Sequence, residues 1–508
     1  MSNHRLMLAF GLLSVFSYSE VSIAKPISID CVLQGTCIDG NNVMEHLKSF
    51  QGIADANKGN RAAGTTGHEL SGNYIAQKLL AAGYKVELQP FTFMKFSKIS
   101  AKFHQVLPAE VPYEDEKEFN VMTYSGSGSV SAKVSAVDIQ LGAGNTSTSG
   151  CEAEDFANFP AGNIALIQRG TCPFSQKVEN AQAAKASGVV LFNQGNSADR
   201  EELFSGTLSE GGAVTIPAYA VSYQFATNLL SLAEPVLSFE THTKIETKAS
   251  FNVIAETITG NPDNIVMIGA HLDSVEAGPG MNDNASGSAA ILEVAIKMKN
   301  VKSNNKIRFG WFSAEELGLI GSTKYVEALS EAEKSKIALY LNFDMISSPN
   351  YKLSVYDGDG SKFGQKGPEG SGSIEQMFHN FYSTSDTTSV ETELNGRSDY
   401  ASFSAAGIAV GGIFSGAEGK KTEEEAKLFG GTANEAYDAC YHKACDDINN
   451  LNLEALELNT NAIAFMALSY GHSTSTVRTV NKLATSMRQR NKVVFEKHYH
   501  CNEEILDM

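Results

Sequence analysis

Beyond its N-terminal segment the chain has no long apolar run, it has no surplus of positive charge, and its cysteines lack zinc-finger spacing. Each absence narrows the field. A membrane-spanning helix needs about 20 consecutive apolar residues, and no later stretch supplies them. A net charge of -18 over 508 residues argues against nucleic acid or an anionic membrane as the main partner. Without paired Cys-x-x-Cys motifs, a structural cysteine–zinc site is not expected. There is no Gly-x-Ser-x-Gly elbow and no His-Glu-x-x-His helix, so two familiar hydrolase designs are missing. Residues 358–364 loosely echo a glycine-rich nucleotide loop, but the strand–helix setting is absent. No internal repeat is present.

What is present points to a multidomain, exported α/β protein. The chain is too long for one compact core. An apolar fraction of 42% and a charged fraction of 19% are ordinary for a globular protein. His4 and Arg5 precede a short apolar stretch at residues 6–16, and Ser22-Ile23-Ala24 offers small residues before Lys25. That pattern reads as a signal peptide, residues 1–24, too short in its apolar part to be an anchor. Cys31 with Cys37, Cys151 with Cys172 and Cys440 with Cys445 are near neighbours. This spacing fits three local disulfides in an oxidising compartment, with Cys501 left over.

Periodicity divides the rest. Residues 41–50 and 67–83 read as helices, the second with Leu70, Tyr74, Ile75, Ala76, Leu79 and Leu80 as its apolar stripe and Gly83 as its terminator. Residues 85–93 alternate like a strand. From about residue 96 to 246 short β-like runs dominate, and His104 and His242 sit alone there, so this region is expected to be an inserted domain without chemistry of its own. The α/β pattern occupies residues 41–95 and 247–473. Residues 474–508 form a basic-leaning tail that is expected to be solvated or processed.

Three apolar runs carry the chemistry. Residues 264–271 end in His271, with Asp273 and Asp283 in the following loop. Residues 306–314 end in Glu315-Glu316, and residues 338–343 end in Asp344. Runs buried on both faces fit a parallel sheet flanked by helices, where ligands bind at the carboxyl ends of strands. A two-metal hydrolase needs ligands for each ion and one that bridges them, and imidazole and carboxylate donors suit zinc. His271, Asp283, Glu316 and Asp344 are such donors, and His442, inside a small cysteine loop, completes the set. Glu315 is the spare carboxylate, placed to take a proton from water. Asp273 is placed to orient the His271 imidazole. The separate alternatives are helix capping by Asp283 and Asn284 and first-turn acids at 315 and 316.

Taken together, Gly269-Ala-His271-Leu-Asp273, Gly278-Pro-Gly-Met-Asn-Asp283-Asn-Ala-Ser-Gly287, Phe312-Ser-Ala-Glu315-Glu316, Asn342-Phe-Asp344-Met and Cys440-Tyr441-His442 resemble the co-catalytic di-zinc aminopeptidases, of the secreted bacterial leucine aminopeptidase and vacuolar aminopeptidase Y types. Gly64-Thr-Thr-Gly-His68 matches the start of that catalytic domain. Cys151, residues 164–172, Pro173-Phe174 and residues 178–188 resemble a protease-associated domain.

The resemblance implies a mixed, mostly parallel central sheet with helices on both faces and an inserted β-rich protease-associated domain. It implies two zinc ions, one on His271 and Asp344, the other on Glu316 and His442, with Asp283 bridging. Glu315 becomes the general base, Tyr441 the oxyanion stabiliser and Arg397 a substrate contact. The Asp283–Asn284 peptide bond is expected to be cis. Partners would be peptides with a free N-terminus, not nucleic acid or membrane, and a monomer is expected. A glutamate carboxypeptidase or glutaminyl cyclase on the same scaffold, or a non-catalytic binding protein, are the alternatives.

Overall fold

The computed structural model describes residues 38–208 and 213–478, together with Ile27 and Cys31. The expected cleavage after Ala24, the Cys37 half of the Cys31–Cys37 pair, Cys501 and most of the C-terminal tail lie outside the described residues. The chain divides into two compact units, one made of Met1–Gln89 and Phe251–Met508, the other of Pro90–Ser250.

The first unit is built on a sheet of strands β1 (Val236–Glu256, which joins it by its last residues), β2 (Asn261–His271), β3 (Asn305–Phe312), β4 (Ile337–Phe343), β5 (Ser354–Tyr356), β6 (Val390–Thr392) and β7 (Ala409–Phe414). Their order is β6-β5-β7-β4-β2-β3-β1. Strand β2 pairs parallel with β3 and β4, β4 with β7, and β5 with β6. Among these strands β1 on β3 and β5 on β7 run antiparallel, so the sheet is mixed and mostly parallel.

Strand β2 shows why the sequence reads as an unbroken apolar run. Alternate side chains leave a strand on opposite faces. Val266, Ile268 and Ala270 join one core, with Leu47 and Phe50 of helix Gly40–Ala56, Ile291 of Gly287–Met298, Phe378 of Ser371–Thr384 and Ile463 of Leu453–His472. Ile265 and Met267 join another, with Tyr325 of helix Ile320–Ala328 and Phe403 of Tyr400–Ala405. Both faces are covered, so both must be apolar.

Helix Thr66–Ala81 departs from the expected stripe. Ile75, Ala76 and Leu79 are buried, but Leu70 and Leu80 are 43% and 60% exposed. The buried face is completed by Gly67, Ser71 and Gly72. A Cβ at Gly72 would stand 2.5 Å from the Phe251 ring, so close approach to the strand selects small residues there.

In the second unit, strands Gly128–Val137, Ile164–Gln168, Gly188–Phe192 and Ala218–Val221 pair successively in parallel. Phe119–Val121 closes one edge antiparallel, and the first half of β1 closes the other. Helices Phe174–Ala183 and Tyr223–Leu230 pack on this sheet, and Cys151 is bonded to Cys172. Among the described residues, no helix is long and apolar enough to cross a membrane.

Candidate active site

Strands β4, β2 and β3 are neighbours, so their carboxyl ends lie side by side. His271 is the last residue of β2, Glu315 and Glu316 follow β3, and Asp344 follows β4. Asp283 enters from the turn Met281–Ser286 before helix Gly287–Met298. A Cβ at Gly287 would lie 2.2 Å from the Phe343 carbonyl oxygen, so only glycine lets this turn close onto the end of β4. The Asp283–Asn284 peptide bond is cis. His442 comes from the loop closed by the Cys440–Cys445 disulfide.

The side chains converge on Asp283. His271 Nε2 lies 3.2 Å from Asp283 Oδ1 and 3.2 Å from Asp344 Oδ1. His442 Nε2 lies 3.2 Å from Asp283 Oδ2 and 3.0 Å from Glu316 Oε2. Glu315 Oε2 stands 4.0 Å from His271 Nε2. Each imidazole thus faces one oxygen of Asp283 and one carboxylate of its own. All five residues expected as ligands meet here, together with Glu315.

Asp273 meets His271 through its backbone oxygen. The ring Nδ1 is 3.1 Å from the backbone oxygen of Asp273 and 3.7 Å from its carboxylate. The carboxylate instead accepts the backbone N–H of Glu315 at 3.2 Å. Donation from Nδ1–H to a carbonyl leaves Nε2 as the lone-pair nitrogen facing the cluster.

The electrostatics call for a cation. Burial pushes Glu315 well above the usual carboxylate range, with Asp344 and Glu316 adding to the rise against His271. Burial and then Asp283 push Glu316 up to about 7. Burial would raise Asp283 as well, but the two imidazoles hold it well below the usual range. Burial disfavours the imidazolium of His442, yet Asp283 and Glu316 carry it up to about 10. Carboxylates outnumber imidazoles in a buried space, and Glu316 Oε1 is buried there with no hydrogen-bond partner. Donors of this kind, within 4.8 Å of one another in the sets His271–Asp283–Glu316 and His271–Glu315–Asp344, fit a metal.

A cavity of about 480 Å³ opens over the cluster, walled by Met345, Tyr356, Thr392, Tyr400 and Phe414. Arg397 and Tyr441 also line it. Arg397 donates to Glu418 at 2.7 Å and to the Tyr441 hydroxyl at 3.3 Å, and the Tyr441 ring stacks on His442 at 3.8 Å. The glycine-rich loop near residue 358 stands apart from this site. Its backbone N–H groups are absorbed by Asp357 and Glu375.

Several site residues escaped the sequence reading. Ser398 donates to Asp344 Oδ2 at 2.6 Å. Asp446 accepts the backbone N–H groups of Asn282 at 2.8 Å and Asp283 at 3.0 Å. Asp438 accepts the Asn282 side chain at 2.7 Å and the Cys440 N–H at 2.8 Å. Asp438 and Asp446 flank the cysteine pair, which is the only hint the sequence carried.

Carboxylates and the buried His271 at the carboxyl ends of an α/β sheet, joined by His442 from the disulfide loop beneath an open cavity, define a hydrolytic enzyme of the metallopeptidase type. Comparison with known proteins makes this specific. Residues 252–467 match peptidase family M28, and residues 130–229 match the PA domain. A Pseudomonas aeruginosa aminopeptidase is 50% identical over 442 residues, 87% of this chain and 82% of the relative. Leucine aminopeptidase 2 of Trichophyton tonsurans is 38% identical over 436 residues, 85% of this chain and 84% of the relative. The solved aminopeptidase from Aneurinibacillus sp. strain AM-1 superposes with a TM-score of 0.66 at 26% identity, covering 86% of this chain and 95% of its own. The chain belongs to peptidase family M28, as an aminopeptidase with an inserted PA domain.

Proposed function

We propose that the chain is an exported aminopeptidase that removes the N-terminal residue of peptides with a pair of zinc ions. The observation that carries the reading is the symmetry about Asp283, whose two oxygens each lie 3.2 Å from a different imidazole. His271 and Asp344 would hold one ion, His442 and Glu316 the other, and Asp283 both. When bound, zinc acidifies water and draws charge from a carbonyl oxygen.

The chain's own groups do the rest. Glu315 takes a proton from the attacking water and returns it to the leaving amine. Its raised affinity for a proton, caused first by burial, suits a group that must hold that proton between the two steps. The Tyr441 hydroxyl accepts from Arg397, which leaves its own proton free to meet the developing oxyanion. The acidic floor of the cavity holds the free ammonium of the substrate, which restricts cleavage to the first peptide bond. The Cys151–Cys172 and Cys440–Cys445 disulfides favour an oxidising compartment, in line with an exported chain.

The test is elemental analysis of the purified mature chain, paired with hydrolysis of amino-acid p-nitroanilides before and after chelation. The expected result is two zincs per chain and cleavage of free, not N-acetylated, substrates that chelation abolishes. One zinc without product release would instead indicate a cyclase. Absence of bound metal and of activity would indicate a binding protein.

A further inference from the structure

The segment from Leu272 to Gly280 joins His271 to the turn that carries Asp283, and its shape sets the distance between these two residues. It has no regular secondary structure to hold it. The holding group comes from far away in the sequence. Arg61, between helices Gly40–Ala56 and Thr66–Ala81, is fully buried. Its Nε donates to the Pro279 oxygen at 3.0 Å and its Nη2 to the Gly280 oxygen at 2.8 Å. Its Nη1 donates to the Leu272 oxygen. The fork therefore grips both ends of the segment at once. Its backbone N–H donates to Ser274 Oγ at 3.0 Å, and Ser274 Oγ donates in turn to the Gly278 oxygen at 3.0 Å. Neighbouring Asn60 reaches the Glu276 oxygen at 3.2 Å. The ring of Phe50 backs the guanidinium at 5.4 Å.

Resting on the zinc reading above, we propose that Arg61 is a positioning residue for the metal centre: its guanidinium fixes the loop between His271 and Asp283 and so presets the two ligands. The acceptors are three backbone carbonyls, each met by a different nitrogen of a planar guanidinium with five N–H groups, a fork that a lysine ammonium does not reproduce. A buried arginine is costly without such partners, so the fold retains it for the geometry it imposes. Burial lowers its pKa to about 10, against the opposing fields of Asp273, Asp446, Asp283 and Glu316, so it is charged at neutral pH. Arg61 does not line the substrate cavity and acts only through the loop.

The experiment uses the full chain with Arg61→Lys and Ser274→Ala. Zinc affinity is measured by chelator competition, the ligand field by cobalt(II) absorption, and kcat and KM separately. Arg61→Lys is expected to weaken zinc binding by about 10- to 100-fold, the range seen when groups that orient metal ligands are lost. It is also expected to alter the cobalt spectrum and to lower kcat while KM stays within about twofold. Ser274→Ala is expected to weaken zinc binding severalfold and serves as the deciding variant should Arg61→Lys fail to fold. Wild-type zinc affinity and spectrum in every folded variant would overturn the proposal. A wild-type chain that takes up no zinc would instead overturn the metal reading itself, and this inference with it.

Discussion

Replacing Glu315 by glutamine isolates its proton chemistry from its place in the cluster. The side chain keeps its shape, and its backbone N–H still donates to Asp273 at 3.2 Å. Only the ability to take a proton is lost. A single general acid–base group contributes about 10²–10⁴-fold to rate. Glu315 is assigned both the uptake and the return of the proton, so the upper end applies, a fall in kcat of about 10⁴-fold or roughly 5.5 kcal/mol. Zinc content should not fall, because Glu315 is not among the ligands proposed for either ion. The metal-free protein should become more stable, since burial first, and then Asp344 and Glu316, oppose a charge on Glu315, and the neutral amide removes that cost. The assay is single-turnover and steady-state hydrolysis of a leucine p-nitroanilide, with metal content and thermal melts of the chelated protein on the same samples. A Glu315→Gln enzyme with full zinc and kcat within tenfold of wild type would refute the reasoning.

Two further predictions concern the support of Asp283 and His442. Burial pushes Asp446 up to about 7, so in the metal-free protein the folded state binds its proton across about pH 4–7 while the unfolded chain has lost it. Stability of the chelated protein should therefore fall as pH rises through that window, and Asp446→Asn should flatten the slope in melts taken at stepped pH. The Cys440–Cys445 bond closes a short loop with a sequence separation of 5, and chain-entropy arguments put such a constraint at about 2 kcal/mol. The Cys440→Ser/Cys445→Ser double variant should lose zinc affinity and kcat well before it loses overall fold by circular dichroism. Unchanged zinc affinity would show that Asp438 and Asp446 hold the loop alone.

Sequence and structure contributed different things, and the division has a physical basis. The runs ending at His271, before Glu315 and before Asp344 were legible because strands covered on both faces must be apolar throughout, so a polar residue marks where the strand leaves the sheet. Adjacent parallel strands then bring those ends together, and β4, β2 and β3 are adjacent. His442 was legible because cysteines bracket it. The Cys151–Cys172 and Cys440–Cys445 pairings followed from proximity along the chain. The amphipathic stripe of helix Thr66–Ala81 was misjudged, because what that helix packs against selects glycine and serine at contact and leaves Leu70 and Leu80 outside. Arg61 lies about two hundred residues before the carbonyls it grips, and no local pattern distinguishes a buried arginine from a solvated one. Asp446 looked like an ordinary acid beside a disulfide until the fold brought the N–H groups of Asn282 and Asp283 to it. The types and order of the reactive residues are thus written locally, because burial pattern and strand ends are local. What holds those residues in register was decided only by tertiary structure, because charged groups become buried anchors through contacts that the linear chain does not display.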